Sequence, residues 1–177
     1  PDDATTVRYD VEEDYIGVDM GFAYDWFGQA VTQVDITPFG EVYTAIENDF
    51  NELAGSVVGY QAEYDFFDGG QVRHATIGDP GAQEFIVEYA DVPLARSNVL
   101  ISFQIVFFES GGGEIQCQNC RPFFDRPSLQ GVFGPVEASL DGRSDEPFVA
   151  VDDGVSFTTD DNGDDGVGDE CDLCPSV

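Results

Sequence analysis

The feature of this sequence that most restricts its fold is a regular alternation between short strand-like segments and residues that favour turns. The segments are rich in aromatic and β-branched side chains, which favour β-strands. They are Ile16 to Phe27, Val31 to Tyr43, Glu84 to Val92, Val99 to Glu109, Gly113 to Cys117 and Pro147 to Thr159. The clearest turn signals are Asp68-Gly69-Gly70, Gly78-Asp79-Pro80-Gly81, Gly111-Gly112-Gly113 and Asp141-Gly142. This spacing predicts an all-β fold, an antiparallel, jelly-roll-like β-sandwich.

Four stretches of the chain allow more specific predictions. Phe103 to Phe108 carries large apolar groups on both faces, which predicts a central strand that is covered on both sides. Glu84 to Tyr89 alternates between apolar and polar residues, as expected where one face of a strand meets water. The glycines Gly111 to Gly113 predict a hairpin loop. Thr44 to Leu53 is the one segment whose apolar spacing predicts a helix.

The charge of the chain limits its partners. Its 36 acidic residues face only 6 basic ones, all arginine, and the net charge is -30. A hydrophobic content of 42% still indicates a folded chain. Nucleic acid is excluded because phosphate binding needs clustered Lys and Arg, and an anionic membrane surface is disfavoured for the same reason. No window approaches the roughly 18 apolar residues of a membrane-spanning helix, so no membrane insertion is expected.

The acidic C-terminal segment predicts a calcium site. Calcium takes six to eight oxygen ligands, and carboxylates alternating with glycine allow a short loop to fold around one ion. The candidate ligands are Asp160, Asp161, Asn162, Asp164, Asp165, Asp169 and Asp172. The alternative is a solvated acidic linker without a defined site, in which the negative charge serves solubility.

Two groups of motifs resemble known extracellular families. Gly21-Phe22, Trp26 to Gln29 and Thr32 to Val42, followed by Phe85 to Tyr89 and Ser102 to Glu109, resemble a nidogen-extracellular-like β domain of secreted prokaryotic proteins, over about Gly17 to Gln116. This resemblance implies an extracellular, non-enzymatic module of matrix, adhesin or surface proteins.

The second resemblance lies in the acidic segment. Asp165 to Pro175, with its Gly-Val-Gly-Asp-x-Cys-Asp-x-Cys-Pro pattern, resembles the calcium-binding thrombospondin type 3 repeat. An inserted residue leaves two ligand registers open, one set by Asp165-Gly166 and one by Asp160, Asn162 and Asp164.

The four cysteines form two CxxC pairs, Cys117/Cys120 and Cys171/Cys174. The thrombospondin resemblance implies that Cys171 bonds backward to Cys117 or Cys120, and that Cys174 bonds forward. Two local CxxC disulfides are the alternative, since four cysteines allow three pairings. A shared zinc site is disfavoured because the 50 residues between the pairs exceed the usual ligand spacing.

Catalysis is not expected. The chain has one histidine, His74, and neither a Gly-x-Ser-x-Gly elbow nor a phosphate loop. A calcium-dependent carbohydrate-binding module is the alternative function, with a flat platform built from Trp26, Tyr24, Tyr60, Tyr64 and Phe66-Phe67. Exposure of three or more of these aromatics on one face would favour sugar binding, whereas their burial would favour a scaffold.

These observations predict an organisation and a function. Residues 1–15 form an N-terminal arm or edge strand that includes the strand-like Thr5 to Val11, residues 16–159 form the sandwich, and residues 160–177 form the calcium-binding segment. We expect a non-catalytic structural or adhesive module outside the cell or on its surface. Its expected partners are further copies, in a filament or matrix, or another extracellular matrix or surface protein.

Overall fold

A computed structural model describes the strands of this protein and most of the turns between them. The residues it describes are 4–7, 15–26, 28–44, 55–66 and 69–120, together with the backbone of 131–133, 140–142 and 154–157. In chain order the strands are β1 (Thr5–Val7), β2 (Ile16–Trp26), β3 (Gln29–Ile36), β4 (Glu41–Thr44), β5 (Ser56–Val58), β6 (Gln71–Ile77), β7 (Glu84–Pro93), β8 (Leu100–Phe108), β9 (Gly113–Asn119), β10 (Gly131–Phe133), β11 (Leu140–Gly142) and β12 (Gly154–Phe157).

The strands form two antiparallel sheets. The first has the order β1-β6-β7-β8-β9-β12 and the second has the order β11-β10-β5-β4-β3-β2. The described residues contain no helix, and the predicted all-β antiparallel sandwich is confirmed. Within the described part of the chain there is accordingly no helix long and apolar enough to cross a membrane.

The connections between strands differ from the jelly-roll-like arrangement. Strands β2 to β5 follow one another within the second sheet, and β6 to β9 follow one another within the first. Each sheet is therefore built around a meander. Short turns join strands that are neighbours in sequence, which favours pairing them side by side. β12 then returns to the first sheet and pairs with β9.

The core lies between the two meanders. In β2 alternate residues are buried, so that Met20, Phe22, Tyr24 and Trp26 point inward. In β8 the inward residues are Ile101, Phe103, Ile105 and Phe107. Val106, on the opposite face of β8, is only 3% exposed. β8 is an inner strand of its sheet, as predicted, but its outer face is only partly covered, because Gln104 and Phe108 on that face are partly exposed.

The glycine run forms the predicted hairpin between β8 and β9. The backbone N–H of Phe108 donates to the carbonyl oxygen of Gly112 at 3.1 Å, and Gly111 N–H donates to Phe108 O at 2.9 Å. From the other sheet, the buried Tyr24 hydroxyl donates to the same Gly112 carbonyl at 3.0 Å. The hairpin is thus fixed both by its own turn and by the facing sheet.

Two predicted segments lie at the limits of the described residues. Of the predicted helix Thr44 to Leu53, Thr44 is the last residue of β4, and the remainder lies outside the described residues. Of the predicted arm, Thr5–Val7 forms β1, which pairs with β6 through Thr5↔His74, Thr6↔Arg73 and Val7↔Val72. β1 is therefore an edge strand of the first sheet in its own chain.

A buried carboxyl group lies at the start of β4. Glu41 is 5% exposed, and its oxygens accept hydrogen bonds from Gln61 Nε2 at 2.5 Å and from the Tyr43 hydroxyl at 3.1 Å. Burial raises the pKa of Glu41 above its usual range, and the two hydrogen bonds oppose this effect. The protonated form of Glu41 is therefore favoured in the folded state relative to the unfolded state.

We predict that Glu41→Gln removes part of the pH dependence of stability. Because the folded pKa is raised, the contribution of Glu41 is fully present below its unfolded pKa and is lost as the pH rises through the folded pKa. The variant should therefore be more stable than the native chain near neutral pH, with a smaller difference near about pH 4. Urea unfolding between about pH 4 and pH 8 measures this difference.

The matched control is Glu63→Gln, which removes the same charge from an exposed side chain. Its stability difference from the native chain should vary less with pH. Equal pH profiles for the two variants would contradict the role of Glu41.

Candidate functional site

A polar groove lies on the outer face of the first sheet. It has a volume of about 540 Å³ and lies across β6, β7, β8 and β9. Its floor carries Arg73, Glu88, Gln104 and Gln116. The volume lies within the roughly 300–1,000 Å³ of ligand-binding clefts.

Strand register places the four floor side chains in one row. Arg73 pairs with Glu88, Glu88 with Gln104, and Gln104 with Gln116. Successive residues of a strand point to opposite faces. The next residues, Val72, Tyr89, Phe103 and Cys117, belong to the core, so the row points away from the core.

Hydrogen bonds and an ion pair connect members of this row. The Arg73 guanidinium forms an ion pair with the Glu88 carboxylate, both partners being partly exposed. Gln104 Nε2 donates to Glu88 Oε1 at 3.1 Å. Gln116 Nε2 donates outside the row, to Glu114 Oε2 at 2.7 Å. The contacts hold the planar groups of Arg73, Glu88 and Gln104 against one another.

Two β-bulges, one on each side of β8, lie at the end of the groove. The register of β7 and β8 shifts between Tyr89 and Val92, and the register of β8 and β9 shifts between Ser102 and Phe103. The residues Ala90, Asp91 and Gln118 at these shifts line the groove. Bulges bend a strand and redirect its side chains, which accounts for a concave region on the sheet.

The first bulge is held by a side-chain contact with β8. Asp91 has a φ of 50°, and its backbone N–H donates to Ser102 Oγ at 2.9 Å. The Ser102 hydroxyl in turn donates to Asp91 Oδ1 at 3.1 Å. Ser102 therefore links both the backbone and the carboxylate of Asp91 to the adjacent strand.

The second bulge lies within a disulfide loop. Cys117 and Cys120 are bonded, with a Cα–Cα distance of 5.7 Å, which is within the usual range for a disulfide. Three steps along a regular strand would separate their Cα atoms by about 10 Å. The chain therefore bends across Gln118 and Asn119, and the Asn119 side chain donates to Leu100 O at 2.8 Å.

This pairing corrects an expectation from the sequence. The thrombospondin resemblance implied that Cys171 bonds to Cys117 or Cys120, but those two cysteines bond to each other. The bend beside the bulge brings them together, which is the local CxxC alternative. Cys171 and Cys174 lie outside the described residues.

The aromatic platform proposed from the sequence is not exposed. Trp26 and Tyr24 are fully buried and Tyr60 is 2% exposed, all within the core. Tyr64 and Phe66 are partly buried and pack against that core, and Phe67 lies outside the described residues. Because these aromatic side chains are buried or partly buried and not exposed on one face, the arrangement favours a scaffold over a sugar-binding platform.

The single histidine also has a packing role. His74 is half-buried in β6, and its ring centroid lies 5.9 Å from that of Phe85. Burial lowers the pKa of His74 below its usual range. The neutral imidazole is therefore favoured at this position.

The predicted calcium ligands lie outside the described residues, from Asp160 to Asp172. Among the residues that the structure describes, no three His, Cys, Asp or Glu side chains are grouped closely enough to hold a metal ion. The calcium site therefore remains a prediction from the sequence.

Comparison with known proteins identified no relative of this chain. No family model matches the chain, and neither curated proteins nor solved structures gave a match. The nidogen-like and thrombospondin-like resemblances accordingly remain interpretations of the motifs.

The polar groove was not predicted from the sequence. The local signal is that Gln104 interrupts a largely apolar strand, and that Gln116 alternates with the apolar Ile115 and Cys117, so both glutamines have to face away from the core. That pattern identifies two outward glutamines on separate strands. Only the strand register shows that they are neighbours in one row with Arg73 and Glu88.

Proposed function

We propose that this protein is a non-catalytic, extracellular structural and adhesive module that calcium stabilises. The observation that carries this proposal is the closed aromatic core between the sheets. The large side chains that could have formed a recognition surface, above all Trp26 and Tyr24, instead join the two sheets. Such a core suits a domain whose task is to keep its shape under load.

The aromatic contacts across the core support this mechanical role. Tyr24 of β2 meets Phe107 of β8 edge to face, with 5.3 Å between ring centroids. Within the first sheet, Tyr89 of β7 stacks on its cross-strand partner Phe103 of β8 at 4.5 Å. The Tyr89 hydroxyl reaches the second sheet, where it donates to Thr37 O, just after β3, at 2.7 Å. Each aromatic pair contributes roughly 0.5–1.5 kcal/mol beyond the burial of its area.

Calcium enters the proposal through the acidic C-terminal segment. With a net charge of -30 the chain repels itself, and a divalent ion held by the carboxylates of Asp160 to Asp172 would reduce that repulsion. A metal ion that binds only the folded state stabilises that state by the free energy of binding. Between copies of the chain, calcium would likewise reduce the repulsion that opposes assembly into a filament or matrix.

We predict that calcium raises the stability of the full chain by about 2–3 kcal/mol when its concentration is about 100 times the Kd. For a chain of this size, that corresponds to an increase in Tm of about 5–10 °C. Thermal unfolding in calcium, in magnesium and in excess chelator measures the effect, and light scattering of the same samples measures assembly. Magnesium should have the smaller effect because its coordination geometry is stricter.

Two variants test the location of the site. Asp164→Asn combined with Asp165→Asn and Asp169→Asn should lose most of the calcium effect. Asp79→Asn, in the exposed turn between β6 and β7, should retain it. Equal Tm values in calcium and chelator, or an equal effect of magnesium, would contradict the calcium proposal. Assembly that is unaffected by chelator would contradict a calcium-dependent filament.

A further inference from the structure

We propose that the polar groove on the outer face of the first sheet binds a neutral oligosaccharide. This proposal goes beyond the structural role above, since stabilisation by calcium does not require the groove. It differs from the aromatic platform considered from the sequence, because the groove is built from planar polar side chains on the face opposite the core. The shape of the groove, its hydrogen-bonding groups and its charge all favour such a ligand.

The shape is that of a fixed cleft on a rigid sheet. The floor is formed by the paired strands β6 to β9, and the bulges in β7 and β9 bound one end. The Ser102–Asp91 hydrogen bonds hold one bulge, and the Cys117–Cys120 disulfide encloses the other. A ligand would therefore meet groups already held in place, which lowers the entropy cost of binding.

The chemistry of the groove suits a ligand with many hydroxyl groups. Gln104, Gln116 and Gln118 each carry an amide that both donates and accepts hydrogen bonds. Arg73 adds donors, whereas Glu88 and Asp91 add acceptors, so neighbouring sugar hydroxyls could donate to one group and accept from the next. An apolar ligand would instead remove these polar groups from water without replacing their hydrogen bonds.

The charge of the groove favours a neutral ligand. The Arg73 guanidinium is engaged by Glu88, and Asp91 adds a further negative charge at the bulge. The net charge of -30 over the whole chain also repels anions such as phosphorylated or sulfated polymers.

A peptide fits the groove less well than a saccharide. A bound peptide typically extends a sheet at an open edge, where unpaired backbone groups are available. The groove instead lies across inner strands, and the backbone of its floor is paired between β6, β7, β8 and β9. The outward side chains of its floor form no apolar pocket for a peptide side chain.

Titration of the full chain with neutral pentasaccharides tests the proposal, using cellopentaose, laminaripentaose, mannopentaose and chitopentaose. We expect at least one to bind with a Kd between about 1 μM and 1 mM. In amide NMR spectra, binding should shift the side-chain signals of Gln104 and Gln116 in the native protein. Pentagalacturonate, an anionic pentasaccharide, should bind more weakly than the best neutral one.

Matched glutamine variants locate the site. Gln104→Leu and, separately, Gln116→Leu should each weaken binding by about 10-fold, because a hydrogen bond to the sugar is lost. Gln33→Leu, an exposed glutamine on β3 of the other sheet, should leave the Kd unchanged. Gln116 is itself exposed, so its variant provides the test even if Gln104→Leu disturbs folding.

The proposal is overturned if none of the four neutral pentasaccharides binds at millimolar concentration, or if binding is the same in both groove variants as in the native chain. Tighter binding of pentagalacturonate would overturn the charge argument and the ligand class with it. These outcomes are separate from the calcium test, which measures Tm without sugar. A positive calcium result and a negative sugar result would therefore reject the groove proposal alone.

Discussion

Phe103→Ala should lower the free energy of unfolding by about 3–5 kcal/mol, as expected for the truncation of a buried aromatic side chain. Phe103 is 1% exposed and lies in β8, in the middle of the core. Its ring stacks on Tyr89 with an interplanar angle of 11°. The substitution removes the buried ring, leaves a cavity between the sheets and ends this contact. Urea unfolding monitored by fluorescence gives the difference in free energy.

Leu100→Ala is the matched control, since it truncates a large apolar residue of the same strand. Leu100 is 43% exposed, so its loss should change stability by about 0.5 kcal/mol or less. Similar losses for the two variants would show that Phe103 does not occupy the packed position described here. A stable chain normally has only about 5–15 kcal/mol to lose, so Phe103→Ala should be studied at low temperature.

Gly40→Ala should also cost about 2–5 kcal/mol, from two causes that add. Gly40 has a φ of 90°, a conformation in which an alanine is strained by about 1–2 kcal/mol. A Cβ at this position would in addition collide with the backbone carbonyl oxygen of Tyr60. Gly59 N–H also donates to Gly40 O at 3.0 Å, next to the paired strands β4 and β5. A backbone shift that relieved the collision would therefore disturb the pairing of β4 with β5. Overpacking of this kind adds roughly 1–3 kcal/mol.

Gly81→Ala separates the two causes. Gly81 has nearly the same φ, 92°, but a Cβ there would meet no atom within 4 Å. Its substitution should therefore cost only the backbone strain of about 1–2 kcal/mol. If the two variants lost the same stability in urea unfolding, the close approach of Gly40 to Tyr60 would have no energetic effect.

The sequence by itself determined the features that depend on local pattern. The apolar run Phe103 to Phe108 indicated an inner strand, and the structure places it inside the first sheet, between β7 and β9. The glycines before β9 required a tight hairpin because they are tolerant of positive φ, and Gly111 and Gly112 have φ values of 96° and 68°. The resulting antiparallel sandwich follows from such local signals repeated along the chain.

The tertiary structure decided the features that depend on register between distant strands. The alternation in β2 places Tyr24 and Trp26 on the same face as Met20 and Phe22, but only packing against the other sheet shows that this face is the closed core and not an exposed platform. The choice of disulfide likewise depended on the bend at Cys117 to Cys120. The polar groove also depends on strand register, because its row of side chains runs from Arg73 to Gln116 across four strands. A shift of one residue in any pairing would turn that strand's side chains to the other face and abolish the row.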